Sequence, residues 1–276
     1  MTESTLPSIG LIIIGDEILS GKRQDKHLPK VIQILGERGL SLAWARYLGD
    51  DRAAITAALR DALSGTDLVF SCGGIGATPD DHTRQSAAAA QGVELVLHPK
   101  AKALIEERMQ DVAREQGQVY DPDRPDNVHR LNMGVFPAGA EIIPNPYNKI
   151  PGFRCRGGQG ADVHFVPGFP VMAWPMIEWV LDTHYASLQR QHNRDERSVI
   201  VFGAMEATLT PLMEAVEAAH GGVKVFSLPS VDHPEYGRHI ELGVKGAATD
   251  TPAAYDALLQ GLRSQGARLG PEMVRT

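Results

Sequence analysis

Ser71-Cys72-Gly73-Gly74-Ile75-Gly76-Ala77-Thr78-Pro79-Asp80-Asp81-His82-Thr83-Arg84 sets three glycines, hydroxyls and two carboxylates between an apolar run and a helix-forming run. Upstream, Asp67-Leu68-Val69-Phe70 predicts a short buried strand. Downstream, Arg84-Gln85-Ser86 and four alanines predict a helix with Asp80 or Asp81 near its N-cap. The order is strand, glycine turn, helix, which places the chain in the α/β class.

A glycine turn lets backbone N–H groups approach a ligand without a Cβ in the way, and a helix start adds unpaired donors and a positive dipole end. Gly73, Gly74, Gly76 and Thr78 are therefore candidates for a phosphate cradle. No Lys follows the last glycine, so this is not a Walker loop, and the glycine spacing is not that of a dinucleotide fingerprint. A plain turn suits the same residues. Asp80 and Asp81 would repel an anion there unless a divalent cation bridges them, or else they cap the helix.

Working outward, Ile9-Gly10-Leu11-Ile12-Ile13-Ile14-Gly15 has the unbroken apolar character of a strand buried on both faces. The polar loop at residues 15–27 follows at its C-terminal end, where open α/β sheets bind ligands. Glu17, Asp25 and His27 are its candidates, with capping for Asp25 and a first-turn place for His27 as the alternatives. An amphipathic helix with Leu28, Val31, Ile32 and Leu35, a strand at 42–48 and a helix with Ile55, Ala58, Leu59 and Ala62 lead to the strand at Asp67. This repeated β-α-β pattern predicts a mostly parallel sheet with helices on both faces. A strand at 93–97 and a helix at 100–116 come next. Residues 117–137 read as a long loop, in which Arg124, His129 and Arg130 carry positive charge or are simply solvated. Strands at 141–146 and 162–170 are joined by the turn at 156–160. The second ends at Pro167-Gly168-Phe169-Pro170, a donor-rich helix start that makes Gly168 a further ligand-binding candidate.

The whole chain sets limits on function. Its 276 residues allow two domains, and 43% hydrophobic with 22% charged residues is ordinary for a globular protein. A formal charge of -7 disfavours a broad grip on nucleic acid or anionic membrane. Cys72 and Cys155 indicate neither a disulfide framework nor a zinc site, and a reducing cytoplasm fits them. The polar start and the short apolar run after it predict no signal peptide and no membrane span.

After residue 186, a polar segment at 187–197 reads as a linker. Residues 198–276 read as a β-α-β-β-α domain without a Gly-x-x-Gly clamp or a basic stripe.

The loop at Gly15 to Asp25, the Gly-Gly-x-Gly-x-Thr-x-Asp-Asp run, the Pro144-Asn145-Pro146 stretch with Pro151-Gly152-Phe153 and the Pro-Gly-x-Pro turn together resemble the molybdopterin-binding domain of the competence/damage-inducible protein A (CinA) type. The resemblance covers about residues 9–185. It implies a three-layer α/β/α domain at 9–186 that binds molybdopterin or a nucleotide, and a KH-like segment at 198–276. Some members of the family instead hydrolyse ADP-ribose or FAD with a divalent metal. In that alternative Glu17, Asp80 and Asp81 bind Mg²⁺ or another divalent cation, Asp25 positions water, and Asp25 and Asp81 are the catalytic candidates. A small phosphate-bearing ligand is the expected partner, and homo-oligomerisation stays open. This sequence departs from the family pattern at His27, at Ala77 and at Phe169-Pro170-Val171-Met172.

Overall fold

The computed structural model describes residues 7–189 and 194–275, which divide into two compact units at residues 189 and 190. Residues 190–193, inside the segment read as linker, lie outside the described residues, as do 1–6 and 276.

In the first unit, β1 (Ile9–Ile14), α1 (Asp16–Leu19), α2 (His27–Gly36), β2 (Trp44–Leu48), α3 (Arg52–Ser64), β3 (Leu68–Cys72) and α4 (Thr83–Gln91) come first. They are followed by β4 (Leu95–Leu97), α5 (Pro99–Glu115), α6 (Pro125–Arg130), β5 (Val135–Pro137), β6 (Glu141–Ile143), β7 (Gly152–Arg156), β8 (Asp162–Val166) and α7 (Pro170–His184). The main sheet runs β2-β1-β3-β8-β7-β6, parallel as far as β8 and antiparallel from there to β6.

Alternation along the strands divides the core into two layers. Leu11, Ile13, Phe70 and Cys72 face α2 and α7, against Val31, Ile34, Ile177 and Leu181. Ile12, Ile14, Val69 and Phe165 face α3, α4 and α5, against Ile55, Leu59, Ala87 and Ala101. Phe136, Phe153 and Phe165 stack in series on this side, with ring centroids 4.6 and 4.3 Å apart. The result is three layers, α/β/α, with a mostly parallel sheet.

The structure corrects several expected elements. Residues 117–137 are no long loop: α6, a 3-10 turn at Leu131–Gly134 and β5 occupy their second half. The proline at the first position of α6 starts that helix, although the stretch reads as loop by composition. The strand at 93–97 shortens to β4 and pairs with β5 outside the main sheet. β7 is an added strand, so the turn at 156–160 closes a hairpin between β7 and β8.

In the second unit, β9 (Arg194–Phe202), α8 (Glu206–Ala219), β10 (Lys224–His233), β11 (Gly237–Ala247), α9 (Thr251–Ser264) and β12 (Arg268–Arg275) form an antiparallel sheet in the order β10-β11-β9-β12. Val199, Val201, Leu242, Val244, Leu209 and Leu258 make its core. Residues 194–197, read as linker, are strand and pair with β11. β12 is a fourth strand beyond the three of the expected KH-like segment, and it completes a β-α-β-β-α-β arrangement of the split β-α-β kind. Gly270 and Pro271 fall between the paired residues Leu269 and Glu272, where the register shifts. That irregularity interrupts the alternation by which a strand is recognised.

Candidate functional site

β1 is flanked by β2 on one side and β3 on the other, so the chain reverses its direction of travel across the sheet between β1 and β3. In open α/β sheets a crevice forms at such a point, outside the carboxyl ends of the strands. A cleft of ≈ 370 Å³ lies there. Its floor is apolar: Ile13, Ile14, Ile18 and Cys72. Glu17, Arg23, Gln24, Lys26 and His27 line one side, and Gly168 and Pro170 another. The starts of α2 and α7 thus both border the cleft, and each presents the positive end of a helix dipole. The exposed side chains of Arg23 and Lys26 make no ion pair among the described residues. Burial pushes the Cys72 thiol well above its ordinary pKa, with the Asp25 carboxylate adding to the effect, so it stays protonated.

Of the residues proposed from sequence, Glu17, His27 and Gly168 line this cleft. Asp25 does not. Its carboxylate accepts from the amides of His27 at 2.8 Å and Leu28 at 3.0 Å and from the Tyr47 hydroxyl at 2.8 Å. It therefore caps the start of α2, and the Tyr47 hydroxyl is held protonated, its pKa pushed up to about 12 by burial and by Asp25.

The glycine turn borders the cleft without lining it. Gly73 and Gly74 have φ of 108° and 68°, a region that favours glycine. A Cβ on Gly73 would strike the Ile14 carbonyl, and one on Gly74 the Thr83 hydroxyl. Both glycines are required by the packing of the turn on β1 and on α4. The amides of Gly74, Ile75 and Gly76 donate to no acceptor among the described residues. Thr78 donates its amide and its hydroxyl to Asp81 Oδ2, at 2.8 and 2.5 Å. Neither Asp80 nor Asp81 caps α4, whose N-cap is His82. Arg84, only 4% exposed, reaches back from α4 to the Gly76 carbonyl and clips the turn.

Glu17, Asp80 and Asp81 do not converge: among the described residues no three His, Cys, Asp or Glu side chains form a group that could hold a metal ion. The carboxylates joined through hydrogen bonds are others. Asp16 and Asp50 exchange hydrogen bonds, each amide donating to the other's carboxylate at 2.9 and 3.1 Å. Burial raises the pKa of Asp50, and the nearby charges of Asp16, Glu17 and Asp80 add to the rise although the Asp16 amide opposes it.

Sequence reasoning passed over Arg23, Lys26 and Cys72 as ligand-facing residues. The signal was available for the two cations, since they stand in a polar loop at a strand's C-terminal end. For Cys72 there was none: a buried cysteine in a strand reads as core.

No helix among the described residues is long and apolar enough to cross a membrane. Residues 10–187 match the family model described as "Probable molybdopterin binding domain". A CinA-like protein of Geobacter sp. (strain M21) is 31% identical over 266 residues, covering 96% of this chain and 59% of that protein. One of Syntrophotalea carbinolica is 33% identical over 223 residues, covering 78% and 51%. The chain thus spans about half the length of the curated relatives it matches. A crystal structure of CinA from Thermoplasma acidophilum aligns with a TM-score of 0.54 at 28% identity, covering 63% of this chain and 97% of that one. With a family model matching well over half of its length, the chain belongs to the molybdopterin-binding domain family, of the CinA-like type.

Proposed function

We propose that the cleft between β1 and the β8–α7 turn binds a small phosphate-bearing ligand, a pterin phosphate or a nucleotide. The observation that carries this reading is the pair of unpaired cations, Arg23 and Lys26, on a cleft bordered by two helix starts in a chain of net charge -7. The apolar floor suits a planar ring, and the family description favours a pterin. The free amides beside the cleft, at Gly74, Ile75 and Gly76, extend the donor set toward a second phosphate oxygen, whereas both donors of Thr78 are taken by Asp81.

The residues fit a cation that arrives with the ligand rather than one held in a protein cage. Mg²⁺ is commonly bound by one or two carboxylates together with waters and substrate phosphates. Glu17 is the carboxylate on the cleft, Asp80 stands near enough to act on the same Asp50 charge, and Asp81 is committed to Thr78. A bound cation would neutralise phosphate charge against these acids.

A second reading, metal-dependent hydrolysis of ADP-ribose or FAD, is favoured by that same carboxylate on a cleft of small-molecule size. Water would add across the P–O–P bond, and ADP-ribose would give AMP and ribose 5-phosphate. Incubation with ADP-ribose, FAD and a pterin phosphate, with Mg²⁺, Mn²⁺ or Co²⁺ and with chelator, separates the readings. Saturable binding without AMP release supports the binding module, AMP release supports the hydrolase, and absence of both contradicts the proposal.

A further inference from the structure

His27 is only 5% exposed, yet it borders the cleft at the start of α2. Its Nε2 lies 3.0 Å from the Gly168 carbonyl, on the opposite side of the cleft. A carbonyl only accepts, so Nε2 carries the proton and donates. In the neutral ring Nδ1 then holds a bare lone pair. Nδ1 is buried and has no hydrogen-bond partner among the described residues. The ring cannot turn over to expose Nε2 instead without giving up the Gly168 bond. Its backbone is held too, because Asp25 accepts from the His27 and Leu28 amides. A buried acceptor without a donor is costly, and any group that supplied the donor would regain that cost on binding.

We infer that His27 is a specificity-determining residue of the cleft: Nδ1 accepts a hydrogen bond from an N–H or O–H donor of the bound ligand, while Arg23 and Lys26 hold its phosphate. The inference rests on the phosphate-ligand reading above and narrows it to ligands that carry a donor as well as an anion. Two chemistries meet that description, the amino-oxo edge of a pterin-type ring and the hydroxyls of a sugar phosphate. Inorganic phosphate lacks the organic donor and serves as the reference.

The test uses the full chain and two substitutions that split the two ring nitrogens. His27→Gln keeps a donor to the Gly168 carbonyl and removes the acceptor at Nδ1. His27→Asn keeps an acceptor near Nδ1 and loses the Gly168 bond. Affinities are measured by calorimetry for a 2-amino-4-oxopteridine phosphate, for ribose 5-phosphate and for inorganic phosphate, with thermal unfolding of each variant alongside. His27→Gln is expected to bind at least one of the two organic phosphates about tenfold more weakly, the loss of one hydrogen bond, with inorganic phosphate unchanged. The organic phosphate that weakens identifies the donor as ring edge or sugar hydroxyl. His27→Asn is expected to keep that affinity within about threefold while losing thermal stability. Unchanged affinity of His27→Gln for both organic phosphates overturns the inference and leaves the phosphate reading standing. Absence of binding of all three by the wild type overturns both.

Discussion

The Thr83 hydroxyl fills the space into which a side chain on Gly74 would point, and it donates at 3.0 Å to the carbonyl of Gly73. The glycine turn is therefore packed from within, against the first residue of α4. A substitution at Gly74 acts on folding before it acts on any ligand. Gly74→Val is expected to lose at least ~2 kcal/mol in urea unfolding, since a non-glycine residue at positive φ costs about 1–2 kcal/mol before the clash is counted. Lost ligand affinity with unchanged stability would contradict this.

Arg154 holds Asp162 through two hydrogen bonds across the β7–β8 hairpin, and the Tyr185 hydroxyl donates to the same carboxylate. Burial pushes the Asp162 pKa up, but Arg154 and Tyr185 outweigh it and hold the carboxyl below its ordinary range. A depressed carboxylate stabilises the fold above its unfolded pKa and loses that contribution as pH falls through the folded one. Removing one partner of a buried pair leaves the other charge uncompensated, so Arg154→Met is expected to cost about 3 kcal/mol at pH 7. In Asp162→Asn the stability gained between pH 3 and 5 should shrink. A wild-type slope in that window would remove Asp162 as its source.

His164 is fully buried beside this pair, with its Nε2 2.9 Å from the Tyr185 hydroxyl. That hydroxyl gives its proton to Asp162, so Nε2 donates to it. Burial takes the His164 pKa down to about 3, with the Asp162 charge opposing the shift. A histidine lowered in the fold is protonated first in the unfolded chain. Stability should therefore fall as pH drops below about 6.5, by up to ~1.4 kcal/mol per pH unit. His164→Gln should flatten the curve between pH 6.5 and 5, and an unaltered curve would count against a buried neutral His164.

Lys149 is the non-glycine residue with positive φ among the described residues, at 65°, and its ammonium reaches Glu107 at 2.6 Å and Asp111 at 2.5 Å. Lys149→Gly relieves the backbone strain of a non-glycine residue at positive φ and gives up exposed ion pairs, which ordinarily contribute little. The net change in stability should be small. A large loss would mean that the ion pairs carry far more than exposed pairs ordinarily do.

Much of the architecture was legible because it rests on local pattern. The apolar runs at Ile9–Ile14 and at Leu68 to Phe70 report buried strands, and the amphipathic spacing before Gly39 reports a helix by its period. β7 and β12 were not legible, since Gly152 opens the first and Gly270-Pro271 interrupt the second. The site divides in the same way. Glycines and acids in a turn announce a ligand and an internal packing problem alike, and for Gly73, Gly74 and Asp81 the structure shows the packing. Which cations stay unpaired is a tertiary fact. Arg23 and Lys26 stand apart from the chain's other unpaired basic residues because they line the cleft.

The most direct test of a phosphate-binding cleft is the affinity of the double variant Arg23→Ala/Lys26→Ala for a pterin phosphate and for ADP-ribose, measured by calorimetry beside the wild type at low and high salt. Both side chains are exposed and unpaired, so the fold should be unaffected. The account predicts a loss of about tenfold or more at low salt that narrows as salt screens the wild-type contacts. Equal affinity of wild type and variant at low salt would place the ligand elsewhere and contradict the account.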